Sequence, residues 1–204
     1  MKKVILVLVF VLSVVTANAQ KFGVTAGLNA SNEVNSFSIK NVSYDWKIGF
    51  QAGAFMDFAI ITPRLSVIPE LLFTQRGTKI NIKDFDTINE TFYYVQLPVN
   101  FAYKFDLGNE QSLFPFAGAY IGHAMCGTAK SKQGNGNTNK RFGSSNQEYK
   151  RIDWGLNFGV GYQYTGNIVF KLQYNPGLQN FSRQSGYTTK NTNIAVTVGY
   201  FFKK

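Results

Sequence analysis

Cysteine and histidine are almost missing from this chain: Cys126 and His123 are the only ones in 204 residues. A single cysteine excludes an internal disulfide framework. One cysteine and one histidine cannot supply the ligand set of a zinc site, so neither a metal nor any other cofactor is expected. Long apolar runs are equally scarce. The one continuous run, Val4 to Val15, is too short as a helix to cross a hydrocarbon layer of about 30 Å. It follows Lys2 and Lys3 and precedes Ala17-Asn18-Ala19, which is the order of a secretory signal peptide. Residues 1–19 are therefore read as a cleaved signal, and residues 20–204 as one domain of 185 residues (204 less 19). Acids are few, 11 against 21 lysines and arginines, for a formal charge of +10. On an exported chain that surplus points away from nucleic acid and toward anionic lipid headgroups.

What the chain does have is alternation. From Arg151 to Tyr164, one parity reads Ile152, Trp154, Leu156, Phe158, Val160, Tyr162, Tyr164 and the other Asp153, Gly155, Asn157, Gly159, Gly161, Gln163. A period of two is a strand. One face is apolar and aromatic, and the other is too small and polar to be a packed core. A soluble sheet buries its apolar face against a second layer, whereas a transmembrane barrel turns it to lipid and fills its interior with small and polar side chains. Seven further segments alternate in the same way: 22–30, 46–58, 65–75, 91–105, 112–124, 167–178 and 193–202, the fifth of them least cleanly because Phe114, Phe116 and Tyr120 add bulk to the inner parity. The expected fold is all-β, an eight-stranded antiparallel transmembrane β-barrel with up-and-down connections.

The connections alternate too. Short turns fall at 60–64, 106–111 and 165–166, and long polar loops at 31–45, 76–90, 125–150 and 179–192. Outer-membrane barrels carry short turns on the periplasmic rim and long loops outside, so both termini are expected in the periplasm. Aromatics would belt the two interfaces, with Tyr103, Tyr162, Tyr164 and Tyr200 below and Trp46, Tyr93, Trp154 and Tyr174 above. Pro69, Pro98, Pro115 and Pro176 fall inside strands, where each removes a ladder donor, so bulges are expected at them. The stretch Ser131 to Ser145 is polar and is expected to be mobile.

Eight strands enclose only enough room for side chains. The inward polar residues Asp57, Glu70, Gln96, Lys104, Asp153 and Lys171 are therefore expected to form a lumenal network, with Glu70 meeting Lys171 and Asp57 meeting Lys104, because an unpaired buried charge is costly. No serine lies near His123 on its strand end, so it is read as a headgroup contact rather than a catalyst. The glycine string GVGYQYTG at 159–166 lies on a strand and opens no helix, which excludes a phosphate loop. Among the loop residues, Lys130, Lys132, Lys140 and Arg141, with Lys150, Arg183 and Lys190, are candidate contacts for lipopolysaccharide phosphates.

Gly27-Leu28-Asn29, Pro69-Glu70-Leu71, Gln75-Arg76-Gly77, Gln96-Leu97-Pro98, Gly159-Val160-Gly161 and Gln173-Tyr174-Asn175-Pro176-Gly177-Leu178 together resemble the PorT-like outer-membrane β-barrel family, the outer membrane protein beta-barrel domain. Gln96 stands where that family often carries an acid. The resemblance implies insertion by the barrel-assembly machinery and an accessory role beside proteins of a secretion or gliding apparatus. The residues themselves favour a non-enzymatic structural or surface-interaction barrel. A small solute pore, or a secreted barrel that turns its apolar parity inward around a ligand, remains an alternative.

Overall fold

A computed structural model describes residues 20–35, 41–133, 137–142, 149–182 and 188–202. In it ten strands hydrogen-bond side by side: β1 (Gln20–Asn35), β2 (Val42–Ile60), β3 (Thr62–Ile82), β4 (Asp86–Tyr103), β5 (Phe105–Gly108), β6 (Gln111–Ser131), β7 (Asn137–Asn139), β8 (Ile152–Tyr164), β9 (Ile168–Pro176) and β10 (Thr189–Phe201). The long strands pair antiparallel with their neighbours in the chain, and β10 returns to β1 with Gly23 opposite Phe201, which closes a ring. Closure leaves no long edge with unpaired backbone groups. The two short strands are additions: β5 prolongs β4 beyond Lys104, and β7 lies against β6 at Thr128 to Lys130.

Side chains divide between the two faces as the alternation requires. Leu28, Ile48, Leu97, Phe101, Trp154, Phe158, Leu172 and Val196 are exposed outside the ring, while Asn29, Gln51, Gln96, Asn100, Asp153, Asn157, Gln173 and Thr197 are buried within it. The apolar parity therefore faces outward, which overturns the alternative of an apolar ligand cavity. Its exposed aromatics form two girdles, Phe22, Tyr103, Phe105, Tyr164, Tyr200 and Phe202 at one end and Trp46, Trp154 and Tyr174 at the other.

Three expectations need correction. The stretches 31–45 and 76–90 are mostly strand rather than loop, since β1 continues to Asn35, β2 begins at Val42, and β3 and β4 run to a turn at 83–85. These extensions are polar because they project past the apolar girdles, and cross-strand bonds hold them: Ser31 Oγ donates to the Gly77 carbonyl at 2.9 Å and Thr78 Oγ1 to Asn32 Oδ1 at 2.7 Å. The prolines carry no bulges. Pro69 lies opposite Val99, Pro98 opposite Tyr120, Pro115 opposite Val160 and Pro176 opposite Thr192, all in unbroken register. The pyrrolidine φ lies within extended space, so each proline loses one ladder donor without displacing its strand. The register shifts instead fall between Trp46 and Gln51, between Ala59 and Ile60, between Tyr93 and Tyr94, and between Asp106 and Gly108.

The third correction concerns Ser131 to Ser145, expected to be mobile although Phe142 stands within it. Asn137–Asn139 pairs with β6, and Phe142 packs edge-on against Phe92 at 6.2 Å. Residues 134–136 and 143–145 of that stretch, the proposed signal at 1–19, and Arg183 lie outside the described residues.

Candidate functional site

The lumen is filled in layers. Nearest the end that holds both described termini, Lys104 donates to Asp57 at the rim. Above it Phe55, Phe114, Phe116 and Phe201 pack with Ile68, Ala102 and Val169 into an apolar plug. This plug depends on glycines in the facing strands: Phe114 lies opposite Gly161, and Phe116 opposite Gly159.

A polar layer follows. Lys171 Nζ donates to Glu70 Oε2 at 2.6 Å, and both side chains are almost fully buried. The other oxygen of Glu70 ends a relay across the barrel. Asn193 donates to Asn175 at 3.0 Å, Asn175 to Asn157 at 2.6 Å, Asn157 to Asn100 at 3.0 Å, and Asn100 to Glu70 at 3.1 Å. Asn193 only donates, whereas Asn175, Asn157 and Asn100 each donate and accept, so the carboxylate is solvated by side-chain dipoles in place of water. The ammonium of Lys171 also stands 5.2 Å from the Phe55 ring centroid, which ties this layer to the plug.

Arg76 organises the next layer. It donates to Gln96 Oε1 at 2.6 Å, lies 3.7 Å from Asp153 Oδ2, and stacks over the Tyr120 ring at 5.1 Å. Tyr120 and Asn191 both donate to the same Asp153 oxygen, at 3.3 and 3.0 Å. The sequence brings Glu70 toward Lys171 and Asp57 toward Lys104, and those pairs meet. It leaves Asp153 and Gln96 without a base, because the loop expected at 76–90 takes in Arg76. The signal was available, since Glu70, Leu72, Thr74, Arg76 and Thr78 continue one parity without interruption.

An aromatic lid closes the far end. Phe92, Tyr94 and Phe181 are buried there with Ala124, and Phe142 and Tyr149 pack onto them. Lys140 pins this lid by donating to Glu90 and to the Tyr149 hydroxyl. Lys140 is therefore not a free surface contact: burial opposes its charge, but Glu90 and Tyr149 together raise its pKa. Beside it, beyond the apolar girdles, burial and the nearby Glu90 push the Glu33 carboxyl up to about 8, against a smaller opposite effect of Lys140. Of the other basic candidates, Lys130, Lys132 and Arg141 are exposed, and Lys150 and Lys190 are half-buried. His123 points outward, opposite Val95 and Ile152.

This arrangement can hold a ring rigid with packed side chains. The model of the outer membrane protein beta-barrel domain matches residues 18–183, a description that does not single out a PorT-like branch. Among solved structures, Neisserial surface protein A is 16% identical, with 89% of this chain and 97% of that one covered and a TM-score of 0.52. Ail, the attachment invasion locus protein of Yersinia pestis, is 18% identical over 90% of this chain and 99% of its own, at a TM-score of 0.45. The outer membrane protease OmpT from Escherichia coli is 13% identical over 89% and 97%, at 0.43. At such identities a likeness extends to the fold alone. No curated protein matches the sequence.

Proposed function

Because the chain belongs to the outer membrane protein beta-barrel family, and is on that footing an outer-membrane β-barrel, we propose that it is a non-enzymatic structural and surface-interaction protein of the envelope. Its wall is the eight long strands, its lumen is closed to solutes, and both termini lie in the periplasm. The observation that carries this reading is the continuous filling of the lumen, from the Phe55, Phe114, Phe116 and Phe201 plug through the Glu70 relay to the lid around Phe92. An interior of this size is matched to side chains, and here Asp57, Glu70 and Asp153 each face a base. The non-enzymatic reading is supported by the place of His123, which faces outward between Val95 and Ile152. The exposed Lys130, Lys132 and Arg141 supply the surface role by attracting anionic headgroups.

Deleting the gene tests this. The expected result is an envelope sensitised to detergent, restored by the wild-type gene, with the set of secreted proteins unchanged. Loss of secreted proteins from an intact envelope would replace this reading with an accessory role in a secretion or gliding apparatus, which rests only on the PorT-like resemblance.

A further inference from the structure

Two lysines stand on the outside of the wall just beyond the girdle that Trp46 marks, and a third reaches toward them from the level of that girdle. Lys79 of β3 lies opposite Asn89 of β4, and Asn89 lies opposite Lys130 of β6. Residues directly opposed in neighbouring strands share a face, so Lys79 and Lys130 stand in one row, two strand spacings or about 10 Å apart. Both are exposed. Lys47 reaches the same face from β2: its side chain runs beside Gly77, and its ammonium donates to the Glu90 carbonyl at 2.9 Å and to the Thr91 hydroxyl. That contact sets its charge one step below the row.

The acids nearby also have other partners. Asp45 lies opposite Lys79, with its Oδ2 accepting from Asn81 at 2.5 Å. Glu90 is buried and held by Lys140. Asp86 accepts from Ser131 and from the backbone of Lys132 and Gln133. Directly beneath the lysines the wall turns aromatic. Phe50 packs with Phe73 at 6.1 Å, Phe73 stacks on Tyr93 at 5.8 Å, and Gln75 donates to the Tyr93 hydroxyl at 3.4 Å. The chemistry thus changes within a few residues of the same strands, from lipid-facing rings to a row of cations.

We propose that Lys47, Lys79 and Lys130 form a seat for the phosphorylated sugar headgroup of an outer-leaflet glycolipid whose acyl chains lie against Phe50, Phe73 and Tyr93. Charge complementarity selects a headgroup with more than one phosphate, and the aromatic patch selects a lipid over free phosphate. The inference rests on the outer-membrane reading, with the long-hairpin end facing out of the cell.

Full-length protein in phosphatidylcholine nanodiscs is titrated with bisphosphorylated lipid A, with its dephosphorylated form and with inorganic phosphate. The expected result is salt-sensitive retention of the bisphosphorylated lipid only. In K47Q/K79Q/K130Q that retention falls by roughly fivefold for each charge removed, while K21Q, at the opposite rim, binds as the wild type and heat-modifiable gel mobility reports folding of every variant. Equal retention by the triple variant, or displacement of the lipid by equimolar inorganic phosphate, overturns the seat. A separate arm checks orientation with a membrane-impermeant maleimide on intact cells carrying C126S/K79C. Labelling only after lysis overturns the outward orientation and the seat with it, whereas labelling of intact cells with unchanged lipid retention overturns the seat alone.

Discussion

Phe116 of β6 and Gly159 of β8 face each other across the ladder, and the phenyl ring fills the space in which a side chain at residue 159 would stand. A Cβ built on Gly159 would meet ring carbons, Cε1 at 2.9 Å and Cζ closer still. Gly161 has the same relation to Phe114. The glycines that thin one face of β8 are thus what allows an aromatic plug inside so small a ring. Gly159→Val is expected to destabilise the barrel by about 1–3 kcal/mol through overpacking, whereas Gly122→Ala, whose added methyl finds its nearest neighbour at 3.6 Å, is tolerated. Urea unfolding in lipid vesicles, followed by gel mobility, measures both.

Breaking the Glu70–Lys171 pair on one side leaves a charge buried without its partner. Glu70→Ala is expected to cost about 3–5 kcal/mol in the same unfolding assay. The double substitution E70L/K171M removes both charges while keeping the volume apolar and should recover most of that loss. A double variant as unstable as the single one would assign the cost to the asparagine relay that ends on Glu70.

The lid at the far end should loosen as pH rises. Burial and Glu90 raise the Glu33 carboxyl to about 8 in the folded protein, from an ordinary value of 4.5. A carboxyl whose folded pKa is raised favours the folded state fully below its ordinary value, and that contribution is lost as pH climbs toward the folded pKa. The contribution thus declines from about pH 4.5, where the unfolded carboxyl ionises, to about 8, where the folded one ionises and stands charged beside Glu90 with Lys140 to share and Tyr44 close by. Hydrogen exchange around Phe142, Tyr149 and Phe181 should be faster at pH 8.5 than at pH 5.5 after correction for the intrinsic rate, and Glu33→Gln should flatten the difference.

His123 is expected to have no chemical role. In cells carrying His123→Ala, the lipid A mass spectrum should match that of the wild type. A missing or added acyl group would show that the outward face of β6 takes part in a reaction.

The wall of this barrel is legible in the sequence because lipid replaces the second layer of a soluble sheet. The contrast between Ile152, Trp154, Leu156 and Asp153, Gly155, Asn157 is therefore never blurred by an outer polar face. Past the girdles that contrast fades, which hid the continuation of β3 through Arg76 and Thr78 and with it the base that Asp153 and Gln96 share. The inner bulk of Phe114 and Phe116 obscured β6 for another reason: it makes sense only against Gly161 and Gly159 of the neighbouring strand. Likewise, the anchor provided by Phe142 exists only once Phe92 and Phe181 converge beneath it.

The central claim is that the ring is closed to solutes along its length, and planar-bilayer conductance of the purified full-length protein tests it most directly. The account predicts a baseline current with no stable single-channel steps at neutral pH. A large, long-lived and reproducible single-channel current would contradict it.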